Sequence, residues 1–68
     1  MITFNDITPI FLDGRKFEIL NQDMKSVATV TISGTALKKL GLDICKVRAL
    51  KEYYLGQSIM KNDIQIIS

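Results

Sequence analysis

The first half of the chain alternates between apolar and polar positions with a period of two, and the second half does not. Ile2 and Phe4 alternate with Met1 and Thr3, a short strand signal broken by Asn5-Asp6. Pro9 then holds Thr8 in an extended conformation. Ile10-Phe11-Leu12 is an apolar run that stops at Asp13-Gly14, and Asp-Gly between two apolar runs predicts a hairpin with a type I′ turn. The return run places Arg15, Phe17 and Ile19 on one face and Lys16 and Glu18 on the other. Asn21-Gln22-Asp23 marks the next turn. Beyond it, Val27 to Ile32 is rich in β-branched residues, with Ala28, Val30 and Ile32 inward and Val27, Thr29 and Thr31 outward. These segments predict an antiparallel meander of two to three strands.

The period changes at Ser33. Ser33 and Thr35 offer hydroxyl caps to a short helix over Ala36-Leu37-Lys38-Lys39-Leu40, with Gly41 as its stop. Asp43 is positioned to cap a second helix over Ile44 to Leu55. At about 100° per residue, Ile44, Val47, Leu50 and Tyr54 share an arc of roughly 120°, which predicts the buried face of that helix. Gly56 weakens the helix and marks its end. Over the last dozen residues two readings compete. Ile64-Gln65-Ile66-Ile67 alternates as a strand returning to the sheet, while 57–67 also reads as a third helix. The expected fold is therefore α+β in one domain over 1–68: a small antiparallel meander, two short helices, and a carboxy-terminal strand or helix.

Length and composition narrow the functional classes. A chain of 68 residues buries only about 60% of its unfolded surface, so its core is thin. At 47% hydrophobic and 24% charged it is not a disordered sequence. There is no histidine, which removes the commonest general base, and one cysteine adds too little for a zinc site. No cofactor or metal is implied, and a non-enzymatic role is expected. Asp6, Asp13, Glu18, Asp23, Asp43, Glu52 and Asp63 are scattered through turns and polar faces rather than paired. No G-x-G-x-x-G or G-x-x-x-x-G-K-[ST] motif cradles a phosphate. No apolar run reaches the roughly 20 residues of a membrane span, and the amino terminus has no signal-peptide core. A lone Cys45 points to a reducing, cytoplasmic setting. It reads better as a small buried residue than as an activated thiolate, because no histidine or second cysteine assists it. Tyr53-Tyr54 offers a base-stacking platform or, more simply, core and rim packing.

The distribution of charge says more than its total of +2. Lys38, Lys39, Lys46, Arg48 and Lys51 fall within fourteen positions that hold one acid, Asp43. On two short helices they would form a basic surface suited to a phosphate backbone, or a solvated face of an ordinary protein.

The stretch Thr35 to Leu50 resembles the helix-turn-helix unit of DNA-binding regulators. Gly41 matches the turn glycine, Leu40 and Leu42 flank it, and Val47 and Leu50 match the packing positions of the second helix. Leu37 departs from the family pattern, which favours a small residue four positions before the glycine. Val30-Thr31-Ile32-Ser33 with Ala36 to Leu42 is also similar to the strand–helix–glycine step of swapped-hairpin regulators and antitoxins, without their Gly-Asp loop. The Ile-Ser-x-x-Ala-Leu step is similar to some short uncharacterised bacterial proteins, which implies no function. The regulator resemblances imply a homodimer that reads DNA. The helix beginning at Asp43 would enter the major groove with Lys46 and Arg48, while Lys38, Lys39 and Lys51 hold the backbone. The alternative is a protein-binding inhibitor or adaptor that docks through a sheet edge or through Ile10, Phe11 and Leu12.

Overall fold

The computed structural model describes residues 2–56 and 63–67. Its elements are β1 (Thr3–Asp6), β2 (Arg15–Leu20), β3 (Ser26–Ile32), α1 (Gly34–Leu40), α2 (Leu42–Tyr54) and β4 (Ile64–Ile67). The strands form an antiparallel sheet in the order β1-β2-β3-β4, one more strand than the meander predicted from the first half. The added strand is the carboxy-terminal one. Residues 64–67 are strand, which rules out a helix continuing through them, and residues 57–62 lie outside the described part.

Alternation along the strands sorts the two faces of the sheet. Phe4 pairs with Ile19, Ile19 with Ala28, Phe17 with Val30, Val30 with Ile66, and Ile32 with Ile64. Phe17, Ile19, Ala28, Val30, Ile32 and Ile66 from these rows are buried beneath the helices. The opposite face carries Asn5, Lys16, Glu18, Thr29 and Thr31, and Asn5 Nδ2 donates to Glu18 Oε1 at 3.2 Å. The inward and outward sets expected for β2 and β3 are those observed except at Val27, which was expected outward but is half-buried and packs against the core where the pairing shifts after Ile19. The Asn21 turn also forms as expected. Its side-chain oxygen accepts from the Asp23 and Lys25 amides, and Met24 takes a positive φ of 61°.

The Asp13-Gly14 expectation is corrected. Ile10-Phe11-Leu12 is not a strand, and β2 pairs instead with Thr3–Asp6 across an eight-residue connection. Pro9 cannot donate to a ladder. The Thr8 hydroxyl stands in at that point, accepting from the Lys16 amide at 2.9 Å while donating to the Asp6 carboxylate. Gly14 serves close packing rather than a turn. A Cβ there would overlap the carbonyl oxygen of Ile32, so only glycine lets the two chain segments meet. Gly34 makes a looser approach of the same kind, where a Cβ would come within 2.8 Å of the Asp13 carbonyl oxygen.

Ser33 caps α1 as expected, accepting from the Ala36 amide at 3.1 Å. Its own amide donates to the Asp63 carbonyl at 2.8 Å and its hydroxyl to Asp63 Oδ1 at 3.3 Å, which fastens the start of β4 to the end of β3. Ser33→Ala should cost about 1 kcal/mol. That corresponds to a fall of roughly 4–8 °C in the thermal midpoint, measured by circular dichroism. Gly41 ends α1 with a φ of 83° and is also the N-cap of α2, so Asp43 sits in the first turn instead of capping it.

The face that α2 buries is not the expected one. Cys45 and Ala49 are fully buried, whereas Ile44, Val47 and Tyr54 are 50%, 66% and 70% exposed. The physical reason lies in the neighbours of the bulky set. On a helix, Asp43 and Lys51 each lie only about 40° from Val47, so burying that face would bury both charges. The opposite face has Cys45 and Ala49 at its centre and a single charge, the half-buried Glu52, about 40° from that centre. Their small side chains bring α2 close to β3 and β4, with Ala36 of α1 completing the contact.

Candidate functional site

One end of the sheet collects the unusual surface features. The β1–β2 connection, the end of β3, the start of α1 and the start of β4 all meet there. In the connection the Leu12 amide donates to the Pro9 carbonyl at 3.1 Å, closing a β-turn. Ile10 and Phe11 occupy its two central positions and are 105% and 89% exposed. Leu12 is half-buried and, with Asp13, Thr31, Ser33, Thr35 and Asp63, lines an open depression of about 340 Å³ beside the turn. The turn is anchored, because the Ile7 amide donates to the Lys16 carbonyl at 2.8 Å and Thr8 ties Asp6 to β2. Those hydrogen bonds from Thr8, aided by Arg15 and Lys46, hold the Asp6 carboxyl below its ordinary value. Asp6, Asp13 and Asp63 are all exposed at this end, with Arg15 the nearby cation on β2.

The five basic residues do not form one surface. Lys38 and Lys39 are exposed on the last turn of α1, and Arg48 and Lys51 are exposed on α2. Lys46 sits two positions from Arg48, about 200° around the helix, and so points to the other flank of the buried stripe. There its ammonium lies 5.0 Å from the ring centre of Phe17 and 5.6 Å from that of Phe4. A cation over aromatic faces is stabilised by the ring quadrupole, and the lysine stem covers rings that α2 leaves uncovered. Arg48 lies instead on the side of Cys45 and Asp63.

Cys45 is enclosed, and its thiol donates to the Ala36 carbonyl at 3.7 Å. Burial raises its pKa, Arg48 opposes that rise, and Asp63 adds to it. The group is therefore kept as a thiol, which is unfavourable for nucleophilic chemistry. Tyr53 packs against the core while Tyr54 is exposed, with the rings edge-to-face at 5.5 Å. Among the described residues no group of three or more carboxylates and cysteines is placed to hold a metal ion. No helix among them is long and apolar enough to cross a membrane.

These features define a small α+β domain whose helices cover one face of a four-stranded sheet and whose large apolar side chains reach solvent at the tip of the β1–β2 connection and along α2, with Met24 and Ile67 exposed besides. Compared with protein-family models, curated proteins and solved structures, the chain matches none of them. Its function is therefore argued from its own surface. Periodicity pointed to the apolar run at 10–12 but missed the bulky residues that α2 leaves outside. The signal that could have found them was the pair Asp43 and Lys51 within the same helical arc.

Proposed function

We propose that this chain is a non-enzymatic protein-binding module, an inhibitor or adaptor, that inserts Ile10 and Phe11 into an apolar cleft of its partner. The observation that carries this reading is the exposure of both side chains at the tip of an anchored turn. Burying an isoleucine or phenylalanine is worth about 1.5–3 kcal/mol each. The Asp6–Thr8–Lys16 hydrogen bonds fix the turn beforehand, so little further ordering opposes binding. The double variant Ile10→Ser/Phe11→Ser should weaken capture of the partner by at least about 100-fold. Its thermal midpoint should stay within about 3 °C, because exposed substitutions cost little. Undiminished capture by this variant contradicts the reading.

The second reading is a DNA-binding regulator of the helix-turn-helix or antitoxin kind. Exposed Lys38, Lys39, Arg48 and Lys51 support it, with Arg48 and Lys51 contacting phosphate or bases and a homodimer doubling the surface. In that reading Lys46 reaches DNA only by leaving the rings of Phe4 and Phe17. Salt separates the two proposals. Binding to random duplex DNA would weaken at least about tenfold between roughly 50 and 200 mM salt, whereas an apolar protein contact would hardly change. Both readings place the chain in a reducing compartment such as the cytoplasm, in keeping with a single unpaired cysteine.

A further inference from the structure

We infer that the outward face of α2 is a self-association surface that takes a second copy of this chain, with the two α2 helices antiparallel about a two-fold axis at Val47. The face is apolar where it is not charged. Ile44, Val47, Tyr54 and Leu55 are at least half exposed, while the residues that hold the helix to the sheet are small. A lone domain would gain nothing from leaving its bulkiest helical side chains in water.

The charges identify the occupant. Asp43 and Lys51 stand four residues on either side of Val47, and each lies about 40° from it around the helix, on opposite sides. A two-fold axis at Val47, perpendicular to two antiparallel helices, brings residues equally far before and after it to the same height. Asp43 of each copy then meets Lys51 of the other, and this happens twice because the contact is isologous. The same operation stacks Val47 on its symmetry mate and brings Ile44 and the other copy's Leu50 to the same height on opposite edges of the seam. Helices running parallel would instead place each charge against its like, which disfavours that arrangement. Arg48 and Lys46 lie about 100° to either side of Val47 and stay outside the seam. This surface does not include the Ile10-Phe11 turn, so the inference stands or falls independently of the proposed partner site.

The test is sedimentation velocity across a protein dilution series, on the whole chain and three charge variants. The wild type should dimerise. Asp43→Lys and Lys51→Asp each place like charges together twice and should weaken the dimer by at least about tenfold. The combined Asp43→Lys/Lys51→Asp variant restores opposite charges and should recover the wild-type dissociation constant to within about threefold. Both positions are solvent-exposed, and circular dichroism of each variant confirms that the fold is retained. A wild type that remains monomeric at the highest concentration overturns the inference. So does a dimer that ignores the single reversals, or a double variant that fails to recover.

Discussion

Replacing Gly14 with alanine should be the most damaging small substitution in this protein. The added methyl group would overlap the Ile32 carbonyl oxygen, and the Ser33 backbone lies within 3.2 Å of the same point. All three of the nearest atoms are backbone, so no flexible side chain can move aside. Ile32 is fully buried in the sheet and its neighbour Ser33 caps α1, so relief by displacement would disturb β3, the cap and the junction with β4 together. Overpacking usually costs about 1–3 kcal/mol, and a rigid backbone obstacle puts this case at the upper end, about 3 kcal/mol. At 0.05–0.15 kcal/mol per residue, a domain of this length holds only roughly 3–10 kcal/mol in all. The thermal midpoint should therefore fall by more than about 12 °C, or the variant should fail to fold. A fall of less than about 3 °C would show that the two segments do not touch as described.

Ala49→Leu should follow closely in severity, because it drives bulk into the contact between α2 and the sheet. Ala49 is fully buried with Cys45 and Ala36 in the main core cluster. With Ala49 at 0% exposure, three added carbons would press on its packed neighbours and lift α2 from β3 and β4 at a cost of about 2–3 kcal/mol. The companion substitution is Val47→Ala, measured in dilute protein. If Val47 lay in the core as periodicity suggests, its truncation would cost more than about 1 kcal/mol. With Val47 66% exposed, the expected cost is below about 0.5 kcal/mol. Urea unfolding of both variants checks the orientation of α2. A damaging Val47→Ala beside a tolerated Ala49→Leu would mean that the helix is turned the other way.

The contrast between these two positions also shows how far the sequence could be read. Strand faces were legible in β2 and β3 because alternation has only two phases and Phe17, Ile19, Val30 and Ile32 all chose one. The cap at Ser33 and the stop at Gly41 were legible because each answers a local hydrogen-bonding or dihedral need. The α2 face was not. Its bulky residues outweighed its small ones in any count of hydrophobicity, while the fold answered to the two charges they would have carried inward. Asp-Gly misled for a related reason. Glycine signals a turn by its freedom of φ, yet Gly14 is needed for the side chain it lacks, a demand imposed by Ile32, eighteen residues away. The basic cluster was a matter of composition, and only helical phase separates Lys46 from Arg48.

Crosslinking from chosen positions tests the central claim, that this chain recognises a protein through the tip of its β1–β2 connection. A photoreactive phenylalanine derivative would replace Phe11 in one sample, Asp23 at the Asn21 turn in a second, and Arg48 on α2 in a third. Each would be irradiated in whole-cell extract. The account predicts a discrete protein adduct from position 11 that is absent from position 23, lost on adding Ile10→Ser, and formed equally at low and high salt. Nucleic-acid adducts from position 48, with none of protein from position 11, would contradict it.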